Sequence, residues 1–145
     1  MIAQTACLAR SLKYWTGREL LAGVFHPEEL ARRVFEAPFV IVSHGTESDP
    51  VLNYGNGAAL ALWETTWEEL TRTPSRLTAE APGRGERARL LDIVARRGFI
   101  DDYSGVRISK SGRRFRINRA TVWNLLTADG KPCGQAAMFD KWEFI

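Results

Sequence analysis

Residues 103–142 constrain the fold most, because they hold three β-forming runs separated only by two tight turns. Tyr103 to Ser109 reads as a strand, and Lys110-Ser111-Gly112 turns the chain back. Arg114 to Leu126 is a long strand, Ala128-Asp129-Gly130-Lys131 is a second turn, and Cys133 to Trp142 is the last strand. Strands joined by turns this short pair antiparallel. The C-terminal third is therefore a meander, and a sheet with one hydrophobic face needs helices laid over it.

The cover and two further strands come from upstream. Phe39-Val40-Ile41-Val42-Ser43-His44 is a strand ending at Gly45. Asp49-Pro50 marks the far side of the turn, and Val51-Leu52-Asn53-Tyr54 is a short strand stopped by Gly55. Asn56 is suited to N-cap a helix over Gly57 to Trp63, and Thr66-Trp67-Glu68-Glu69 matches a capping box for a single turn ending near Leu70. Residues 71–85 contain Pro74, Pro82, Gly83 and Gly85 and read as a loop with at most one helical turn. Glu86 to Arg97 is the clearest helix, with a stripe of Leu90, Leu91, Val94 and Ala95 and a stop at Gly98.

The first 36 residues read as three helices. Leu8, Leu12 and Trp15 share a stripe on the first. Thr16-Gly17-Arg18-Glu19 matches a capping box for a short second one carrying Leu20, Leu21 and Val24. His26-Pro27-Glu28-Glu29 opens a third, whose stripe is Leu30, Ala31, Val34 and Phe35 and which ends at Pro38. Such stripes are unstable alone. They are expected to pack on the open sheet face or on a second subunit, which makes a homodimer the expectation.

At 145 residues the chain is expected to be one α+β unit, with a helical extension over 1–36 and a sheet domain over 37–145. Placing the first strand between the second and the fifth gives a five-stranded antiparallel sheet of order 2-1-5-4-3 with helices on one face, the PAS-like arrangement. Particular residues carry a closer resemblance: Ser43-His44-Gly45, Asp49-Pro50, Asn53-Tyr54-Gly55-Asn56, Pro74-Ser75-Arg76, Tyr103-Ser104-Gly105-Val106-Arg107, and Gly134-Gln135-Ala136-Ala137 followed by Trp142. In this order and spacing, over about residues 37–145, they resemble the MEKHLA domain family. That resemblance implies a PAS-like sensor of a small molecule, light or redox state. It also implies kinship with the module that closes certain plant homeodomain-zipper transcription factors, although no DNA-binding segment is read in these residues.

Composition narrows the setting. Cys7 and Cys133 show no CxxC or Cys/His spacing, which argues against a disulfide scaffold and a zinc site. With no signal peptide read, the expectation is a reducing, cytoplasmic protein. The longest apolar runs are far too short to span a bilayer. Residues 84–119 hold 11 Arg/Lys against 4 Asp/Glu. Such a stripe can meet phosphate or an acidic partner, but charge runs usually face water, and nucleic-acid binding is the weakest reading.

Catalysis has little support. His44 with Ser43, Glu47 or Asp49 falls in one strand-end loop rather than converging from separate elements. Gly83-Arg84-Gly85 lacks the preceding strand that a phosphate loop needs. Flavin photosensors of similar fold place a reactive cysteine near the helix after the second strand, where Asn56 to Trp63 has none. Haem-binding relatives often use a histidine on the long helix before the third strand, and Glu86 to Arg97 has none. A non-covalent flavin stays open, and the cofactor is unknown.

The expected ligand site is a PAS-type pocket lined from His44, Tyr54, Trp63, Trp67, Arg76, Tyr103, Arg107, Arg119, Thr121, Trp123 and Gln135. Alternation puts Phe115, Ile117, Arg119, Thr121, Trp123 and Leu125 on one strand face. A buried Arg119 there needs an anion to offset its desolvation; a β-bulge turning it to solvent is the equal alternative. Trp63 and Trp67 are core or pocket wall, Gln135 meets a ligand or its own loop, and Arg76 clamps a loop carboxylate such as Glu80 or binds ligand. The leading reading is a sensory module that binds a small molecule and signals by association. The alternatives are a dimerisation module with a filled core and, behind it, an enzyme using His44 or the Arg107/Arg119 pair.

Overall fold

The computed structural model describes residues 1–79 and 81–145, with side chains for all of these except 81–83. The elements run α1 (Ile2–Thr16), α2 (Pro27–Glu36), β1 (Val40–His44), β2 (Leu52–Gly55), α3 (Gly57–Trp63), α4 (Trp67–Leu70), a 3-10 turn (Ser75–Thr78), α5 (Ala81–Arg97), β3 (Phe99–Ile108), β4 (Arg114–Leu126), β5 (Pro132–Phe139) and β6 (Lys141–Phe144). The strands form one antiparallel sheet of order β2-β1-β5-β4-β3, with β6 also paired to β4. This is the expected order.

Both sheet faces are covered. On one, Val40, Phe115, Ile117, Ala120 and Phe139 pack with Ala59, Leu62 and Trp63 of α3, and Val122 packs with Leu90 and Val94 of α5. On the other, Ile41, Tyr54, Trp123, Leu125 and Ala136 pack with Cys7, Leu8 and Leu12 of α1 and Val34 of α2. Leu8 and Leu12 are fully buried there, each stabilising α1 on the sheet by about 1.5–3 kcal/mol. The Trp15 ring lies against Gly98 at φ +99, where no Cβ would fit, and its Nε1 donates to the Asn124 carbonyl at 2.9 Å.

Three expectations need correction. No second helix forms after Thr16: Gly17 ends α1 in the left-handed region, and the Thr16 hydroxyl donates back to the Leu12 carbonyl at 2.7 Å instead of opening a helix. The long helix begins at Ala81 rather than Glu86, because proline is tolerated in a first helical turn. The last strand is split at Asp140 into β5 and β6.

That split accompanies a second irregularity that decides the faces of β4. Tyr103 pairs with Ala120 and Gly105 with Ile117, so Asn118 and Arg119 together oppose Ser104 alone. Arg119 sits in the left-handed region at φ 54. This is a β-bulge, and each bulge inverts the alternation beyond it. Phe115 and Ile117 face α3, whereas past the bulge Ala120 and Val122 take that face. Thr121, Trp123 and Leu125 therefore do not share a face with Phe115 and Ile117, and the exposed Arg119 is turned to solvent.

A buried carboxamide ties the layers together. Asn56 is 0 % exposed; its Nδ2 donates to the carbonyls of Val34 and Phe39 at 3.0 and 2.8 Å. Its Oδ1 accepts from the Ile41 N–H at 3.2 Å and, as N-cap of α3, from the Ala59 N–H at 3.1 Å.

Substitutions at two positions test this arrangement. Asn56→Ala leaves up to four interior backbone groups unpaired, each costing about 1–3 kcal/mol, so urea denaturation should show a loss of at least ~3 kcal/mol. Asn56→Asp keeps the acceptor but not the donors and should also be destabilised. Arg119→Gly relieves the left-handed backbone and should be neutral or stabilising within about 1 kcal/mol, whereas the β-branched Arg119→Val should cost about 1–2 kcal/mol. A large loss on Arg119→Gly would contradict a solvent-facing bulge.

Candidate functional site

The bulge opens the α3/α5 face of the sheet, and a cavity of about 70 Å³ lies there. Its walls are mostly apolar, with Val42, Leu90, Ile117, Ala120, Val122 and Phe139 among them. Its polar groups come from five separate parts of the chain: Ser43 and His44 at the end of β1, Ser75 and Thr78 on the 3-10 turn, Arg87 on α5, Tyr103 and Arg107 on β3, and Gln135 on β5.

Each group is placed by identifiable local structure. The 3-10 turn is held on the outer edge of β2, where the Ser75 N–H donates to the Pro50 carbonyl at 2.8 Å and the Leu52 N–H donates to the Thr73 carbonyl at 3.0 Å. That edge contact presents the Ser75 hydroxyl, which accepts a hydrogen bond from Arg87 Nη2. Arg87 lies on the same helical stripe as Leu90, Leu91 and Val94, three and four residues apart. Arg107 shares its strand face with Gly105 and Tyr103; its guanidinium lies 5.4 Å from the Tyr103 ring centroid and donates through Nη1 to the Val106 carbonyl at 2.9 Å. The Tyr103 hydroxyl occupies the space that a side chain at Gly105 would fill.

The electrostatics are unusual for an interior. Arg87 is 8 % exposed and Arg107 is 9 % exposed. Among the described residues neither forms an ion pair. Burial, aided by the positive charge of Arg107, lowers the Arg87 guanidinium to about 10. His44 Nδ1 lies 2.8 Å from the Gly45 carbonyl. A carbonyl only accepts, so Nδ1 carries the proton and Nε2 of the neutral ring is left with a lone pair. Nε2, beside the Gln135 side chain, and the Trp63 indole N–H are buried without a hydrogen-bond partner, as are the Tyr54 hydroxyl and the Trp123 indole N–H on the α1 side. Such groups are uncommon in folded interiors and are expensive to leave unpaired.

Of the residues expected at a ligand site, His44, Trp63, Tyr103, Arg107 and Gln135 line this cavity. Gln135 Nε2 is committed to the Leu91 carbonyl at 2.9 Å and Asn124 Oδ1 at 3.0 Å, which ties α5 to β5. Tyr54, Trp123 and Thr121 lie on the α1 side of the sheet. Trp67 packs edge-on to Tyr54, and Thr121 Oγ1 accepts from Arg18 at 3.2 Å. Arg76 is at the surface, where its Nε is 3.1 and 3.2 Å from the two Asp49 carboxylate oxygens; Glu80 lies outside the described residues. Arg119 is exposed.

Arg87, Ser75 and Thr78 were not foreseen. The helical spacing of Arg87 from Leu90 and Leu91 was a readable signal, since it extends the buried stripe by one turn; Ser75 and Thr78 offered none. Sequence spacing also hid the proximity of Cys7 and Cys133, whose sulfurs are 3.7 Å apart under α1. Burial and the neighbouring thiol push Cys133 up to about 11, which keeps it protonated and poorly nucleophilic. Among the described residues no group of three His, Cys, Asp or Glu side chains could hold a metal ion, and no helix is long and apolar enough to cross a membrane.

Comparison with known proteins places this geometry. The family model of the MEKHLA domain matches residues 2–144. The homeobox-leucine zipper protein ATHB-14 of Arabidopsis thaliana is 30 % identical over 100 residues, covering 69 % of this chain and 12 % of that protein. HOX32 of Oryza sativa subsp. japonica, another homeobox-leucine zipper protein, is 25 % identical over 139 residues, covering 95 % of this chain and 16 % of that protein. The chain thus spans less than a fifth of the length of these plant relatives. Among solved structures, an RNA-binding light-oxygen-voltage receptor superposes with a TM-score of 0.69 at 19 % identity, covering 86 % of this chain and 36 % of that one. The PAS domain of a Colwellia psychrerythraea protein superposes with a TM-score of 0.62 at 15 % identity, covering 81 % and 95 %. A third neighbour, a light-oxygen-voltage domain studied with a flavin analogue, gives 0.59 at 15 % identity, covering 81 % and 84 %.

The environment of His44 makes a pH prediction. Burial lowers its pKa most; the Gly45 carbonyl raises it, Arg87 lowers it, and Glu47 and Gln135 raise it, with a net shift downward from 6.5. Between the folded and unfolded values the unfolded chain binds more protons, so stability falls as pH drops below about 6.5 and levels off below the folded pKa. Thermal unfolding across this range should show that step, and His44→Gln should flatten it. An NMR titration placing the His44 pKa above 6.5 would contradict the neutral ring.

Proposed function

The chain belongs to the MEKHLA domain family, and from that premise we propose that it is a PAS-like sensory module whose cavity takes up a small molecule and whose occupancy is passed on by association with another protein surface. In this reading it works as a homodimer in the reducing cytoplasm, has no catalytic step, and is read by a partner rather than by nucleic acid.

One observation carries the reading. An otherwise apolar cavity keeps His44 Nε2 and Trp63 Nε1 without partners while two buried guanidiniums line the same walls. A core selected only for stability would replace these groups with hydrocarbon. A bound molecule would satisfy them.

A flavin, suggested by the light-oxygen-voltage neighbours, does not fit. Sites for ligands of that size occupy roughly 300–1,000 Å³, against a cavity of about 70 Å³ here, and α3 carries no cysteine. The ligand is a smaller molecule.

The modest volume also favours a second reading, a docking module whose core is nearly filled. Ala120→Val separates the two, because Ala120 is 1 % exposed and lines the cavity. If the cavity is a ligand site, the variant should fold and lose the thermal shift produced by whichever metabolite stabilises the native protein. If it is packing space, native protein should show no shift across the library, and the two added carbons should stabilise by about 1–2 kcal/mol.

A further inference from the structure

The two buried arginines define what such a ligand must carry. Arg87 and Arg107 approach the cavity from different layers, α5 and β3. Each guanidinium has five N–H donors in a planar fork. Arg87 donates to Ser75 and Arg107 to the Val106 carbonyl, which leaves most of both forks unused by the described residues. The acidic side chain that most influences Arg87, Asp49, is itself held at the surface by Arg76. Two like charges more than nine-tenths buried, facing one cavity and unpaired among the described residues, repel each other and lack hydration.

We infer that the cavity binds a small organic carboxylate, with its carboxyl group between the Arg87 and Arg107 guanidiniums and its short apolar body against Trp63, Ile117 and Phe139. The inference rests on the reading of this cavity as a ligand site and adds the ligand's chemical class. A carboxylate accepts two parallel N–H bonds from one guanidinium fork and still presents lone pairs to a second. Its single negative charge relieves the repulsion between the arginines. The walls beyond them, mostly aliphatic and aromatic, suit a hydrocarbon body rather than a phosphate, whose two further oxygens would need donors.

Arg87 and Arg107 also make an unusual stability prediction. Without ligand, the neutral variants Arg87→Met and Arg107→Met lose a buried unpaired charge and should match or exceed the native melting temperature. With ligand they should lose at least tenfold in affinity, because a fork donating to a carboxylate is gone.

The test uses the full chain, with isothermal titration calorimetry and melting measurements. The probes are propionate, butyrate, lactate and benzoate, the amide of each acid, and inorganic phosphate, while the Trp63 indole N–H resonance reports occupancy. The expected result is acids binding at least tenfold more tightly than their amides, with the Trp63 resonance shifting and both variants folded but unresponsive. Amides binding as tightly as acids would overturn the carboxylate and leave the ligand-site reading intact. Phosphate binding in place of the acids would do the same. Silence to every probe and to an uncharged metabolite library would remove both. If a variant melts well below the native protein or fails to fold, the acid-against-amide comparison on native protein decides: acids no tighter than amides overturn the assignment.

Discussion

The Asn56 carboxamide is the junction on which the rest of the structure depends. It follows β2 and precedes α3 in the chain, yet it reaches back to the end of α2 and the start of β1. All four of its hydrogen bonds go to backbone groups in the interior, where water cannot substitute. With them in place, the α2–β1 segment is fastened to the N-terminus of α3. β1 then lies at a fixed height between β2 and β5, and α3 is aimed across the sheet. The last residue of that helix, Trp63, thereby reaches the wall of the cavity.

The bulge at Asn118-Arg119 is the second constraint, and it acts on chemistry through geometry. An unbroken β4 would carry Thr121 and Trp123 on the same face as Ile117. With the bulge, Ala120 and Val122 occupy that face instead. Exchanging large side chains for small ones beneath α5 leaves the free volume, and it also delivers Trp123 and Leu125 to the face that α1 covers. A single residue in the left-handed region thus links the pocket on one side of the sheet to the docking of the N-terminal helix on the other.

What remains open inside the cavity differs from an ordinary core. Gln135 and Asn124 show the usual outcome for interior amides: their donors are spent on the carbonyls of Leu91, Val94 and Ala95, and α5 is anchored as a result. A few residues away, the polar atoms of His44 and Trp63 have no such outlet. Unpartnered polar atoms also occur under α1, at the Tyr54 hydroxyl and the Trp123 indole N–H, so what sets the cavity apart is that its unpartnered atoms share their walls with two buried guanidiniums.

Much of the fold was readable from the chain alone, for reasons that lie in local chemistry. The two tight turns compel an antiparallel meander, Asn56 and Thr66 cap their helices as their side chains require, and the 13-residue β4 begins and ends where its β-branched and aromatic run does. Of the candidate site, His44, Tyr103, Arg107 and Gln135 were legible because they stand on or at the end of strands, and Trp63 because it ends the helix that Asn56 caps. The misplacement of Arg119, Thr121 and Trp123 has one cause: a bulge is set by pairing with Ser104, fifteen residues away, and leaves no local mark on β4. Arg87 reached the cavity only because α5 lies across that particular face, and Cys7 came to rest 3.7 Å from Cys133 only because α1 covers the other. Turn chemistry, capping and periodicity act within a few residues and can be read along a chain; the parity of a strand face and the partner of a buried charge arise between distant segments and are decided only when the layers close.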